Sequence, residues 1–304
     1  MPDDSAGELL VLVGPGRAGR ALIRSWTGIG GTAVVIARNA LDARRRGLPD
    51  SVEVRSPDDG RELAGDFLVL AVPDDAIEAV ASAVAPRVEC RYSFHLSGAL
   101  PANALASLSP ASSLGSLHPL RAFTGAPEET WRDSFVAVEG EESASEAGSR
   151  LCRGIGARPR RVAAGEKPLY HCAATLAAGG VASLLSLAAG IWEEAGLEPE
   201  EGRIELARLA VSASQAVGRQ PFAEALTGPV ARRDVETVRL HRDALVRRPD
   251  LARLYRQLAL ETLRRTPGRG REDEIARLLA LEESDPERFA DLSGKNPDTS
   301  TPKG

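Results

Sequence analysis

The chain has 304 residues, material for two domains with a substantial core, and 43% of it is hydrophobic against 27% charged, the balance of a globular protein. Its formal net charge of −5, with arginines dispersed among acidic residues, provides no field for nucleic acid, and no nucleic-acid module is visible. Cys90, Cys152 and Cys172 show neither a Cys-x-x-Cys pair nor Cys/His spacing for zinc, so the expectation is reduced, mostly buried thiols, no metal and a cytoplasmic protein.

The N-terminal residues 1–5 are acidic and lead directly into an apolar run, which does not read as a signal peptide. That run, residues 9–13, is predicted to be a strand and breaks into Gly14-Pro15-Gly16-Arg17-Ala18-Gly19, a Gly-x-Gly-x-x-Gly loop opening an amphipathic helix through Ala21, Leu22, Ile23 and Trp26. Gly14 allows the tight turn, Gly16 removes a Cβ from the approach to a diphosphate, and Gly19 permits close packing of helix on sheet. Free amides and the positive dipole end at the helix start then bind phosphate. Pro15 fits only if a φ near −65° suits the turn.

A second strand, residues 32–37, ends in Arg38-Asn39, where an NAD-binding unit places a carboxylate for the ribose hydroxyls. A guanidinium can instead pair with a 2′-phosphate, so the expected cofactor is NADP(H), with Arg38 and Asn39 as ligands and Arg17 assisting. The competing reading of Arg38 is a solvated side chain, and residues 44–46, three arginines, are read as a solvated face.

A weak strand at 52–54 and a clear one at 67–72 follow, the latter ending in Ala71-Val72-Pro73-Asp74. Asp74 or Asp75 is expected to cap the next helix, and Ala71, Val72 and Pro73 to lie along the cofactor, because ligands in open α/β sheets collect at strand carboxyl ends. Residues 92–95 form a fifth strand leading into Leu96-Ser97-Gly98, with further strands near 116–117, 135–138 and 160–162 and a helix over 143–152.

Beyond Gly165 the pattern becomes helical, over 170–195, 202–220, 234–246 and 249–264, with Gly196 and Gly218 as stops and Pro249 as a start. No charge occurs from Cys172 to Trp192. A run so rich in Ala, Gly and Ser is read as a buried helix in a closely packed helical domain or at a subunit interface, and not as a membrane span. The division is therefore 1–164 for nucleotide binding and 165–281 for a helical substrate and dimerisation domain, with 282–304 a disordered tail.

Reduction builds charge on a substrate oxygen or nitrogen, and a proton donor or cation must meet it. The candidates are His118 in Ser116-Leu117-His118-Pro119, then Lys167 and His171, four residues apart and so on one helix face, with Ser97 as a hydroxyl able to hold a carboxylate or carbonyl. His95, inside its strand, reads as a hydrogen-bonded core residue. Thr227 and Arg232 flank a Thr-Gly-Pro turn before a helix capped by Asp234, and Arg232 presents a fork for a substrate carboxylate.

Five ordered motifs together resemble the Rossmann-like proteins with a C-terminal DUF2520 domain: residues 13–19, His95-Leu96-Ser97-Gly98, residues 116–120, Tyr170-His171-Cys172-Ala173-Ala174 and residues 226–232. That family is similar to a wider group with a helical domain like that of 6-phosphogluconate dehydrogenase, including pyrroline-5-carboxylate reductase, prephenate dehydrogenase and ketopantoate reductase. The resemblance implies an α/β fold, a Rossmann doubly wound, mostly parallel sheet followed by an all-α C-terminal domain. It also implies hydride transfer with NADP and a homodimer made through the helical domain. The Lys-x-x-Asn-Asn pattern of the group's hydroxyacid dehydrogenases is absent, since Lys167 is followed by Pro168-Leu169-Tyr170-His171. The expected function is an NADP(H)-dependent oxidoreductase reducing a small ketoacid or imine, with no nucleic-acid or membrane partner. The alternatives are a non-catalytic NADP-binding sensor or scaffold and a reductase using a deazaflavin donor.

Overall fold

The computed structural model describes residues 7–268 and 270–280, so the expected disordered tail at 282–304 lies outside the described residues. Two compact units are formed, one through Gly180 and one from Val181 onward.

The first unit alternates strands and helices: β1 (Leu9–Val13), α1 (Arg17–Thr27), β2 (Thr32–Ile36), α2 (Ala40–Arg45), β3 (Glu53–Arg55), β4 (Leu63–Leu70), α3 (Ile77–Val84) and β5 (Val88–His95). It continues through β6 (Ser113–Pro119), β7 (Phe135–Gly140), α4 (Glu142–Gly154), β8 (Arg158–Arg161) and α5 (Lys167–Thr175). The sheet order is β3-β2-β1-β4-β5-β6-β7-β8, parallel throughout except for the antiparallel pairing of β6 with β7.

Period-two alternation sends the central strands' side chains to two layers. Leu10, Leu12, Phe67, Val69 and Phe94 pack with Leu22, Ile23 and Trp26 of α1 and Leu151 of α4. Val11, Val13, Leu68 and Leu70 pack on the other face with Ile77 and Ala81 of α3 and with Leu105 and Leu108 from a 3-10 segment at Ala102–Leu108. Continuous apolar strands buried on both faces therefore generate a doubly wound sheet, and the chain reverses its winding direction between β1 and β4. A crevice forms at such a reversal, outside the strand carboxyl ends.

The segment joining β6 to β7 lies along α1. Arg24 donates from Nε to the Glu129 carbonyl at 2.8 Å and from Nη2 to that of Ala126 at 3.1 Å. The fully buried Trp131 donates its indole N–H to the Ala18 carbonyl at 3.0 Å and its backbone N–H to Ser25 Oγ at 2.8 Å.

The second unit contains α6 (Val181–Glu194), α7 (Pro199–Arg219), α8 (Phe222–Ala225), α9 (Gly228–Arg232), α10 (Val235–Ala244), α11 (Pro249–Arg265) and α12 (Glu272–Ala280). Val230, Val238, Leu263, Ile275 and Leu278 make its core. Buried Arg233, at φ +62°, ties α9 to the C-terminal end of α11 through the Val230 carbonyl and Thr266 Oγ1, and to Glu272 of α12 at 3.1 Å. Asp234 caps α10 by accepting from the Thr237 amide.

Three expectations differ from the structure. The helix expected over 170–195 is interrupted by a wide turn at Leu176–Gly180, where Gly179 and Gly180 weaken helical propensity. Gly218 lies inside α7 and stops nothing. Helix α6, expected to be buried, has no buried residue within the chain; it packs on α7 through Trp192 against Gly202, leaving Leu184, Leu187 and Ile191 exposed. By length and composition the helical run Ala164–Glu194 is long and apolar enough to cross a membrane.

Candidate functional site

The glycines of the β1–α1 loop are dictated by distance. Gly14 has φ +83°, and a Cβ there would stand 2.6 Å from Val72 Cγ1 and 3.0 Å from the Ala71 carbonyl oxygen. A Cβ on Gly19 would reach 2.9 Å from that of Ala71, so α1 approaches the end of β4 as closely as backbone allows. Gly16 differs: a Cβ there would meet only the Ala71 oxygen, at 3.6 Å, and would project into space that the protein does not fill. Gly16 N–H donates to the Gly14 carbonyl at 2.8 Å, closing a three-residue turn centred on Pro15, whose φ suits that conformation. The first intrahelical bond is Arg20 N–H to Gly16 O, so the amides of Arg17, Ala18 and Gly19 have no acceptor in the helix.

These residues border a cleft of about 1240 Å³, lined by residues 14–17, Arg20, Arg38, Asn39 and 71–73. Ala18 and Gly19 stand behind it, Ala18 holding Trp131 through its carbonyl. Arg38 is exposed at the end of β2. Asn39, expected as a cofactor ligand, uses its Oδ1 to cap α2 through the Asp42 amide at 2.9 Å. The arginines read as a solvated face are partly engaged: Arg44 donates to the carbonyls of Pro49 and Val52, and Arg46 pairs with Asp42 at 2.8 Å.

A second cluster forms where β4, β5 and β6 end. His95 is fully buried; its Nε2 donates to the Pro101 carbonyl at 3.1 Å and its Nδ1 accepts from the Ser97 amide at 3.1 Å, the core role its strand position implied. Ser97 Oγ donates to Asp74 Oδ2 at 2.7 Å and accepts from the amides of Ala99 and Leu100. Asp74 therefore fastens the β4 end to the β5 end; neither Asp74 nor Asp75 caps a helix with its side chain. Ser97 has its hydroxyl committed within the protein.

Gly98 comes next, and its lack of a side chain makes room for two imidazoles. A Cβ there would clash with His171 Nδ1 and come within 2.9 Å of His118 Nε2. The rings of His118 and His171 meet edge to face at 5.2 Å, and Tyr170 Oη lies 2.9 Å from His118 Nδ1. His171 Nδ1 is buried with no hydrogen-bond partner.

Lys167, expected to offset charge on a substrate, is 1% exposed. Its ammonium donates to Ser116 Oγ at 2.5 Å, and to the Ser97 carbonyl and Glu139 Oε2 at 3.3 Å each. Burial lowers its pKa, and Glu139 opposes that shift. Glu139 also accepts from the Ala102 amide at 2.9 Å and from Ser116 Oγ at 3.1 Å. An ammonium enclosed in this way holds the turn at 97–98 against β6 and β7.

Thr227 and Arg232 belong to the second unit, where both are exposed; Thr227 is the N-cap residue of α9 without a side-chain cap bond. The structure adds residues with no role assigned from sequence, Tyr170, Gly98 and Glu139, and gives the Asp74 carboxylate a different role from the cap expected of it. Glu139 carried a signal, as an acid closing the otherwise apolar Phe135-Val136-Ala137-Val138 run. Burial pushes the thiols of Cys90 and Cys152 up to about 12, while Cys172 is exposed on α5.

This architecture defines a Rossmann-type α/β domain followed by a helical C-terminal part. Residues 134–262 match the Domain of unknown function (DUF2520), and the chain carries that domain. No curated protein matches the chain. Among solved structures, a Bacteroides fragilis protein to which NADP oxidoreductase activity is ascribed superposes with a TM-score of 0.68 at 18% identity, covering 84% of this chain and 97% of its own. A Thermotoga maritima protein gives 0.61 at 21%, covering 94% and 100%. Plasmodium falciparum pyrroline carboxylate reductase, solved with NADP bound, gives 0.57 at 10%, covering 90% and 98%. At these identities the shared property is the fold.

Burial lowers the pKa of His95 and of His118 from 6.5 to about 4 in each case, with His171 and Lys167 adding to the effect at His118. Below pH 6.5 the unfolded chain takes up protons that the native state refuses, so stability is full above pH 6.5 and falls as pH drops toward 4. In urea titrations the stability of wild type relative to His118→Asn is expected to fall by about 2 kcal/mol between pH 7 and pH 4.5. A pH-independent difference would contradict the assigned environment.

Proposed function

We propose that this protein is an NADP(H)-dependent oxidoreductase that reduces a small ketoacid or imine, working in the cytoplasm as a homodimer. The observation that carries the reading is the placement of the glycine-loop cleft and the His118–His171 pair along one edge of one sheet, at the carboxyl ends of β1, β4, β5 and β6. The residues fit the coenzyme on structural grounds: the space over Gly16 is open, and the amides of residues 17–19 are free of helical acceptors. The ascribed or bound NADP of the structural neighbours supports the same reading.

When bound, a nicotinamide coenzyme supplies the hydride. The chain's part is binding, orientation and management of charge. Amides at 17–19 and the α1 dipole hold the diphosphate, and Arg38 takes the 2′-phosphate. Ala71, Val72 and Pro73 line the cleft at the end of β4. His118 is neutral near pH 7, because its lowered pKa keeps it unprotonated. In the tautomer this reading requires, Tyr170 donates to Nδ1 and the His118 proton stands on Nε2, facing Gly98 and His171. That N–H donates to the substrate oxygen or nitrogen as charge develops there, and a neutral imidazole can serve as such a donor. His171 Nδ1 completes the polar pair. Ser97 and Lys167 act as positioning residues, holding the turn that presents Gly98.

Arg38→Asp is expected to weaken NADPH binding by about tenfold or more relative to NADH in calorimetry, the scale of a lost charge-assisted contact. Equal losses for both coenzymes would remove the preference for NADP(H).

Oxidation of NADPH, followed optically against a panel of 2-oxo acids and cyclic imines, identifies the substrate class. His118→Asn is expected to lower kcat by about 10²-fold or more with coenzyme affinity unchanged, the scale of general acid–base groups. Full turnover in that variant would remove His118 from catalysis, and tight NADPH binding without turnover of any substrate would favour the sensor.

The exposed apolar residues of α6 and α7, Leu184, Leu187, Ile191, Leu209 and Val211, support pairing with a second copy of the chain. Light scattering is expected to give a dimer for wild type and a monomer for Leu187→Glu. A wild-type monomer would contradict it.

A further inference from the structure

Beneath the glycine loop lies a guanidinium that the amide cradle does not require. Arg20 lines the nucleotide cleft yet is 5% exposed. It donates from Nη1 to the Pro15 carbonyl at 2.9 Å, while its Nε is buried without a partner. Among the described residues no carboxylate lies within ion-pair distance of it. Asp42 is already paired with Arg46, and the Glu129 carboxylate accepts from the amides of Thr124 and Gly125. Arg17 and Arg46 also line this end of the cleft; their charges oppose that of Arg20, while those of Asp42 and Glu129 favour it without pairing with it. Gly125 lies against Arg20 and Arg17, where a Cβ would stand 3.2 Å from Arg20 Nη2 and 3.5 Å from Arg17 Cγ.

A strut holding the Pro15 carbonyl needs one donor and no net charge. A guanidinium supplies five N–H groups in a rigid fork suited to phosphate oxygens, and burying it with an unpartnered Nε and no ion-pair partner opposes folding. The arrangement becomes favourable beside a polyanion in the cleft, which supplies the missing ion-pair partner. We infer that Arg20 recognises a phosphate group of the coenzyme, as a buried cationic ligand beside the amides of residues 17–19. This rests on the coenzyme reading above and adds to it a residue selected for phosphate charge. The phosphate ester is either the bridging diphosphate or the 2′-phosphate.

The test uses full-length Arg20→Met and Arg20→Lys with two readouts: calorimetry with NADP⁺ and NAD⁺, and thermal shift with sodium pyrophosphate. Arg20→Met is expected to weaken NADP⁺ binding at least tenfold, with the melting temperature of the ligand-free protein unchanged or raised and Arg20→Lys recovering part of the affinity. Equal losses for the two coenzymes assign Arg20 to the diphosphate, and a larger loss for NADP⁺ assigns it to the 2′-phosphate. Binding by Arg20→Met within twofold of wild type overturns the inference. So does a loss accompanied by a lower ligand-free melting temperature that lysine does not repair, since that is the behaviour of a strut. If wild type binds neither coenzyme but is stabilised by pyrophosphate only when Arg20 is present, the coenzyme reading fails and the anion site stands. No stabilisation of wild type by pyrophosphate or coenzyme removes both.

Discussion

The enclosed ammonium of Lys167 is the interaction on which the strand-end cluster depends. It joins four places distant in sequence: the Ser97 carbonyl after β5, Ser116 in β6, Glu139 in β7 and the first turn of α5. A cation this far from water is tolerable only with good partners, and breaking one such buried pair typically costs about 3–5 kcal/mol. The same contacts fix how α5 meets the turn at 97–98, and one helical turn later His171 arrives over Gly98. Lysine here converts burial into geometry, and the imidazoles inherit their placement from it.

The glycine-loop cleft is built by a different constraint, the close approach of two backbones. Gly14 and Gly19 are glycines because Ala71 and Val72 leave no volume for a Cβ, and that contact aligns the start of α1 with the end of β4. Cleft and imidazole pair are then related through strand register: Leu70 pairs with His95, and His95 with Ser116. The Asp74–Ser97 hydrogen bond closes the same edge between β4 and β5. One sheet thus places the acceptor-free amides of α1 and a polar pair at its carboxyl edge.

Most of the α/β half was legible because its signals are steric and periodic. Apolar runs at β1, β2 and β4 declare themselves, and the glycine spacing reflects backbone contact. What escaped the sequence was partnership. Asn39 carried the cap signal of α2, but a short, arginine-rich helix has little apolar periodicity to announce it. Asp74 stood where a cap belongs, and only the fold reveals that Ser97 claims its carboxylate. Nothing local to Lys167 discloses that Glu139, twenty-eight residues earlier, lies beside its ammonium. Helix α6 was expected to be buried from composition alone, yet composition says only that a surface wants covering, not which surface covers it.

The central claim is that the loop at residues 14–19 and the edge carrying Gly98, His118 and His171 serve one bound coenzyme. A crystal structure of the wild-type protein grown with NADP⁺ tests it most directly. The account predicts diphosphate density over the amides of residues 17–19, the 2′-phosphate at Arg38 and the nicotinamide ring beside Val72 and Gly98. A coenzyme bound elsewhere, or one whose nicotinamide points away from His118 and His171, would contradict it.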